Sequence, residues 1–179
     1  MKESDANLVL RTLNGDKQAY GELYDRYAGL VRAICHDSES DMTRAADLAQ
    51  EVFFRAYEKL SHLRDPARFG YWLISIARNT CRDYRRGRVR DRHVLVGLNP
   101  PELQNPEREW IEDERLMMLH EAFQVLTEKE RLALRSYYLE EEDAEKARKI
   151  VGVSRSGFYR LLNKARNRIE EYFKHHQGN

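Results

Sequence analysis

Cysteine, glycine and proline are scarce in this sequence, and each shortage excludes a class of protein. Only two of the 179 residues are cysteines. Because Cys35 and Cys81 stand alone without a CxxC pair, neither a disulfide framework nor a structural zinc site is expected. Nine glycines and four prolines are too few for the many turns of a β-sandwich. The composition favours a helical protein with two reduced, partly buried thiols, no metal site and no cofactor.

Long apolar runs are also lacking. The sequence contains no uncharged stretch near the roughly 18 residues that cross a bilayer. The opening residues, MKESD, are followed by no apolar signal core. We therefore expect a cytoplasmic protein without membrane insertion.

Charge, in contrast, is abundant and unevenly distributed. Charged residues make up 34% of a chain whose formal net charge is only +1. The segment from Arg64 to Arg92 contains nine arginines and three aspartates, and the segment from Lys146 to Lys174 contains nine basic residues and two glutamates. Between them, the segment from Glu102 to Glu145 contains fourteen acidic residues and five basic ones. Two separate basic blocks make nucleic acid the leading candidate partner, although solvated helix faces paired with the acidic block would give the same pattern.

Helical periodicity dominates the chain, and no segment shows sustained strand alternation. We predict an all-α fold with two small helical domains. The first, residues 1–87, should hold four helices, the last of them opening after Asp65-Pro66. Residues 88–109 contain three of the four prolines and no apolar face, which indicates an irregular linker. Residues 110–179 should form the second domain.

The predicted fourth helix carries an apolar stripe and a separate arginine face. The guanidinium group of arginine forms paired hydrogen bonds with phosphates and stacks on bases, and exposed aromatic rings stack on unpaired bases. This face therefore favours binding to a single nucleic-acid strand. Tyr71 is the candidate for stacking, whereas Trp72 is assigned to the core by its spacing. The apolar stripe consists of Phe69, Trp72, Leu73, Ile76, Ala77 and Thr80.

A helix-turn-helix is predicted near the end of the chain. A capping box at Thr127 and Glu130 opens one helix, and a short helix then leads to the turn Gly152-Val153-Ser154 and a long basic helix. The first half of that long helix points polar side chains outward, where recognition residues reach base edges in a major groove. A helical hairpin that packs only against its own protein remains the alternative.

Together these segments resemble the sigma-70 family of RNA polymerase specificity subunits, in its small extracytoplasmic-function (ECF) class. DLAQEVFFRAYEKL, from Asp47 to Leu60, is similar to the family's helix that grips the largest polymerase subunit. By that resemblance, contacts to core RNA polymerase fall on Asp47, Gln50, Glu51, Phe53, Arg55 and Tyr57.

FGYWLISIARNTCRDYRRGR resembles the family's segment that melts and reads the minus-ten promoter element. The resemblance implies that the loop 61–68 takes up a flipped non-template base and that the following helix holds the strand. The implied minus-ten residues are Ser61, His62, Arg64, Arg68, Tyr71, Arg78, Asn79, Arg82 and Arg86.

LTEKERLALRSYYLE and VGVSRSGFYRLLNKARNRI resemble the domain that reads the minus-thirty-five element. In the family a small buried residue precedes the turn where this chain has Arg148. The implied duplex contacts are Arg155, Ser156, Tyr159, Arg160, Asn163 and Lys164.

The resemblance implies a sigma factor that binds core RNA polymerase and promoter DNA, directs promoter recognition, melting and initiation, and in some members is held by an anti-sigma factor. A free-standing dimeric helix-turn-helix regulator is the alternative, but it needs only the second domain. An enzyme is not expected, because the six histidines and the carboxylates show no ligand spacing, nucleophile elbow or phosphate loop.

Overall fold

The computed structural model describes residues 3–39, 41–95, 114–140 and 143–176, the side chains of 88–95 and 114–117 excepted. This part of the chain contains eight α-helices and no strand, which confirms the all-α prediction. None of its helices is both long enough and apolar enough to cross a membrane. The helices are α1 Asp5–Leu13, α2 Lys17–His36, α3 Met42–Lys59, α4 Phe69–Leu95, α5 Glu114–Gln124, α6 Glu128–Leu139, α7 Ala144–Val151 and α8 Arg155–His176.

The chain divides into two compact units, with the division between Pro101 and Glu102. α4 continues to Leu95, past Gly87, where the sequence predicted the end of the first domain. An interior glycine costs only about 1 kcal/mol relative to alanine and ends a helix mainly in the left-handed conformation. The rest of the predicted linker, residues 96–109, lies outside the described residues, and the domain limits stay predictions.

Local capping signals set the helix ends of the first unit. The Ser4 hydroxyl accepts a hydrogen bond from the Asn7 amide at 3.3 Å and opens α1. Gly15 adopts a left-handed φ of 96° just beyond the end of that helix. Asp16 then caps α2 by accepting from the Gln18 amide at 2.9 Å. Short polar and glycine-containing segments therefore set where α1 begins and ends and where α2 begins.

The core of the first unit lies between α2, α3 and α4, with α1 packed against α2 and α4. On α4, Phe69, Leu73, Ala77 and Thr80 are buried as predicted, whereas Trp72 and Ile76 are only half-buried. Ile74 and Cys81 are buried as well. The buried surface of α4 is wider than a single row of residues along the helix, because three other helices pack against it.

The second unit is built around α6, α7 and α8. The predicted capping box is present at its start: Thr127 Oγ1 accepts from the Glu130 amide at 3.4 Å, and the Glu130 carboxylate accepts from the Thr127 amide at 2.8 Å. α7 ends at Gly152, which has a left-handed φ of 74°. That conformation strains a residue with a side chain, and it turns the chain into α8.

Candidate nucleic-acid interfaces

The first candidate surface is the outward side of α3. Asp47, Gln50 and Glu51 are exposed, and Arg55 Nε donates to Glu51 Oε1 at 2.6 Å one helical turn away. Tyr57 is 44% exposed. Five of the six residues that the family resemblance assigned to core polymerase therefore lie on or beside one accessible face, which we call the α3 face.

Phe53 is the exception. Its side chain is only 4% exposed and packs against the ring of Tyr24, with 4.5 Å between ring centroids. Its carbonyl accepts from the Tyr20 hydroxyl at 2.5 Å, and burial raises the pKa of Tyr20. The structure thus places Phe53 in the core, where it supports the α3 face from beneath.

Phe54 occupies the position on the α3 face that the sequence analysis missed. It is 59% exposed and follows Gln50 and Glu51 at the four- and three-residue spacing of a helix face. An exposed ring of this size between polar neighbours is typical of a protein-protein contact. The spacing from Asp47 onward was the available signal.

The second candidate surface begins with the loop 61–68. Ser61, His62, Arg64 and Arg68 are all exposed. Two short 3₁₀ turns, Leu60–His62 and Pro66–Arg68, hold the loop, and both pack against α1. The flanking residues Leu60 and Phe69 are 2% and 0% exposed, respectively. The loop therefore presents polar side chains from a backbone that is fixed at both ends.

α4 continues this surface. Tyr71 is 39% exposed, and the Arg68 guanidinium lies over its ring, 5.1 Å from the centroid. Arg82 donates to the amide oxygen of Asn79. We call the loop 61–68 together with Tyr71 and the outward residues Arg78, Asn79, Arg82 and Arg86 the α4 face.

The residues of the α4 face differ in exposure. Asn79, Arg82 and Arg86 are exposed, and Arg78 is half-buried. Cation–π stacking of Arg68 on Tyr71 is of modest strength at an exposed site, about 0.5–1 kcal/mol. An unpaired base could therefore replace the guanidinium on that ring.

The third candidate surface is the first half of α8. Ser154, the last residue of the predicted turn, caps this helix by accepting from the Gly157 amide at 3.2 Å. Phe158, Leu162 and Ala165 turn inward with exposures of 0%, 2% and 0%. The opposite side, which we call the α8 face, consists of Arg155, Ser156, Tyr159, Arg160, Asn163 and Lys164, and all six are exposed.

α7 shows how the chain accommodates Arg148. Ala147 is fully buried, whereas Arg148 reaches the surface, and its Nη2 lies 2.7 Å from Glu145 Oε2. Hydrogen bonding with Arg148 lowers the pKa of Glu145, and the charge of Arg155 acts in the same direction. Arg155 Nε lies 4.0 Å from the other Glu145 oxygen. A carboxylate therefore borders the α8 face.

Comparison with known proteins identifies the family. Residues 23–91, which include the α3 and α4 faces, match the family model of sigma-70 region 2. The RNA polymerase sigma-H factor of Pseudomonas aeruginosa is 33% identical over 148 residues, 74% of this chain and 75% of that protein. The ECF RNA polymerase sigma factor SigM of Bacillus subtilis is 30% identical over 156 residues, 85% of this chain and 93% of that protein. This chain belongs to the ECF sigma factors.

The probable RNA polymerase sigma factor RfaY of Xanthomonas campestris is 29% identical over 160 residues, which are 85% of this chain but only 40% of the length of RfaY. Among solved structures, CnrH in complex with the cytosolic domain of CnrY has a TM-score of 0.63 at 20% identity and covers 96% of this chain and 98% of its own. The sigma factor RpoE in complex with the anti-sigma factor NepR from Bartonella quintana has a TM-score of 0.57 at 21% identity and covers 87% and 96%. Because both identities are below 25%, these two solved structures show only that the fold is similar.

The family predicted from the sequence is confirmed, and with it the function. An ECF sigma factor is a specificity subunit: it binds core RNA polymerase and promoter DNA and directs transcription initiation. Sigma factors are regulatory proteins and not a class of enzyme. The free-standing dimeric regulator leaves the match over residues 23–91 unexplained.

Proposed function

We propose that three separate surfaces divide the work of this sigma factor. The α3 face binds core RNA polymerase, the α4 face holds the melted minus-ten strand, and the α8 face reads the minus-thirty-five duplex. The observation that supports this division is that each face lies on a helix whose opposite side is buried core. The predicted contact residues other than Phe53 are exposed or only half-buried.

The chemistry of each face suits its proposed partner. The α3 face combines carboxylates, an amide and exposed rings, a mixture typical of protein contacts. The α4 face combines one stacking ring with arginines, which serve an unpaired strand. The α8 face places Arg155 and Arg160 near the N-terminus of a helix that follows a tight turn, the geometry in which recognition helices contact base edges.

The proposal extends to the domains and the setting of the protein. Residues 1–87 would form the part that binds polymerase and the minus-ten element, residues 110–179 the part that binds the minus-thirty-five element, and residues 88–109 the linker. The protein acts in the cytoplasm, where core polymerase lies, and has no chemistry of its own. An anti-sigma factor is a further proposed partner, since the structurally similar RpoE is in complex with NepR.

Run-off transcription with core polymerase and a pool of promoter fragments tests the division. Arg78→Ala/Arg82→Ala should lose initiation but still bind core, whereas Asp47→Ala/Gln50→Ala should lose both. Lys17→Ala/Arg32→Ala and Gln18→Ala/Glu22→Ala remove matched groups from exposed positions of α2 and should behave as wild type.

Two results would overturn the proposal. Initiation that survives both test variants would separate these faces from the function. A wild-type protein that fails to bind core and instead binds duplex DNA as a dimer would favour the free-standing regulator.

A further inference from the structure

The two cysteines of the chain meet in the core of the first unit. Cys35 lies on α2 and Cys81 on α4, 46 residues apart in sequence, and their Sγ atoms are 3.7 Å apart. Cys35 is 0% exposed and Cys81 is 2% exposed. The sequence showed two isolated thiols, but the fold makes them neighbours.

The two thiols are chemically unequal. Hydrogen bonding with Cys35 lowers the pKa of Cys81 to about 7, and the Ser38 hydroxyl and the charge of Arg85 act in the same direction, while burial and Asp37 oppose them. The same hydrogen bond, together with burial, raises the pKa of Cys35. Cys81 is thus the better thiolate, and a protonated thiol stands next to it.

We propose that Cys35 and Cys81 are a modification site, a dithiol that hydrogen peroxide converts to a disulfide joining α2 to α4. The Cys81 thiolate attacks one peroxide oxygen, the O–O bond breaks, and the displaced hydroxide takes up a proton to leave as water. Cys81 is then a sulfenic acid. The Cys35 sulfur attacks it, the S–O bond breaks, and the second water leaves with the Cys35 proton. Two thiols lose two electrons, and one peroxide gains them.

Geometry favours the disulfide over further oxidation of Cys81. The sulfurs must approach by about 1.7 Å to reach a bond length of about 2.05 Å, a movement within reach of side-chain rotation and a small shift of two packed helices. Burial also selects the oxidant, because peroxide is small and glutathione disulfide is not. This inference is independent of the three surfaces proposed above, since it concerns the free protein.

Intact mass spectrometry of the full-length protein tests the proposal. The reduced, native protein is treated with hydrogen peroxide or with glutathione disulfide, the oxidant is removed, and the protein is then unfolded in urea with a maleimide so that any remaining buried thiol reacts. Peroxide should lower the mass by about 2 Da, because two hydrogens are lost when the disulfide forms, and should leave no thiol for the maleimide. The protein should stay monomeric, and dithiothreitol should reverse the oxidation. Glutathione disulfide should act far more slowly on the native protein. Sulfinic acid, disulfide-linked dimers, or oxidation only in urea would overturn the proposal.

Variants identify the attacking thiol. In Cys35→Ser, which keeps a hydrogen-bond donor beside Cys81 but no thiol, the sulfenic acid at Cys81 should persist and be trapped by dimedone added together with urea, whereas Cys81→Ser should give much less adduct at Cys35. Equal adduct in both would overturn the assignment of Cys81 as nucleophile. Circular dichroism establishes whether each variant is folded. If one of them is not, the mass measurement on the wild-type protein still tests whether the disulfide forms.

Discussion

The hydroxyl of Tyr27 lies against the backbone of Gly70, so that a Cβ added at Gly70 would stand 2.6 Å from the Tyr27 oxygen. Tyr27 cannot easily move away. It is 3% exposed, its ring packs edge-on against Phe69 at 5.6 Å, and its hydroxyl donates to Asp5 of α1. The absence of a side chain at Gly70 is therefore what lets α1, α2 and the start of α4 meet.

Gly70→Ala should destabilise the protein by about 1–3 kcal/mol, the usual cost of overpacking a core. Gly21→Ala is the matched control, because Gly21 is helical and nothing lies within 4 Å of its Cβ position. That control should be neutral or stabilising by up to about 1 kcal/mol. Urea unfolding followed by circular dichroism measures both, and equal stabilities would contradict the close packing.

Glu130→Gln should destabilise the second unit by about 1–2 kcal/mol at neutral pH. The Glu130 carboxylate accepts from Arg168 Nη1 at 2.7 Å as well as from the Thr127 amide. Burial alone would raise its pKa, but the hydrogen bonds from Thr127 and the charge of Arg168 outweigh burial, so the pKa lies below its ordinary 4.5. Hydrogen exchange of α6 and α8 amides would localise the loss.

The same carboxylate gives a pH dependence. Because the pKa of Glu130 is lower in the folded state than its ordinary 4.5, its charge stabilises the fold above that pH. The contribution is lost as the pH falls through the folded-state value, so wild type and Glu130→Gln should converge in acid. Glu170→Gln, at an exposed position of α8, is the control and should have the stability of wild type at neutral pH. A constant difference between wild type and Glu130→Gln would refute this account.

Tyr71→Ala should reduce open promoter complexes about tenfold, because stacking of one base on a ring contributes about 1–3 kcal/mol. Tyr71→Phe keeps the ring and should stay near wild type. Permanganate footprinting of thymines in the minus-ten region, with reconstituted holoenzyme, measures the melted fraction. If the alanine variant melts promoters normally, Tyr71 does not stack on the strand.

Glu145→Gln should raise the affinity of holoenzyme for duplex minus-thirty-five DNA about two- to fivefold at low salt, because it removes a carboxylate beside Arg155 at the edge of the α8 face. The gain should shrink as salt increases. Fluorescence anisotropy across a salt series measures it. Glu171→Gln, near the far end of α8, provides the control, and an equal gain there would point to net charge alone.

Local chemistry explains why much of the fold was predictable. The Ser4 cap, the Thr127 and Glu130 box, and the Gly152 turn each act within a few residues, so the sequence shows them directly. The end of α4 was not visible in the same way. Gly87 keeps a helical backbone, and a glycine marks a helix end only where the chain leaves the helix.

The candidate surfaces were predictable to the extent that helix periodicity decides exposure. The six residues of the α8 face follow from the inward row of Phe158, Leu162 and Ala165. Phe53 and Phe54 are adjacent, and only the contact of Phe53 with Tyr24 on α2 decides which ring is buried. The pairing of Cys35 with Cys81 also depends on how α2 packs against α4, which no local pattern contains.

The anchored ends of the loop 61–68 have an energetic consequence. A loop that orders only when its ligand arrives must give up backbone freedom at about 1–2 kcal/mol per residue. Here Leu60 and Phe69 are buried, and the two 3₁₀ turns already hold the chain between them. Whatever binds Arg64 and its neighbours therefore meets a preorganised receptor, and little of the binding free energy is lost to ordering the protein.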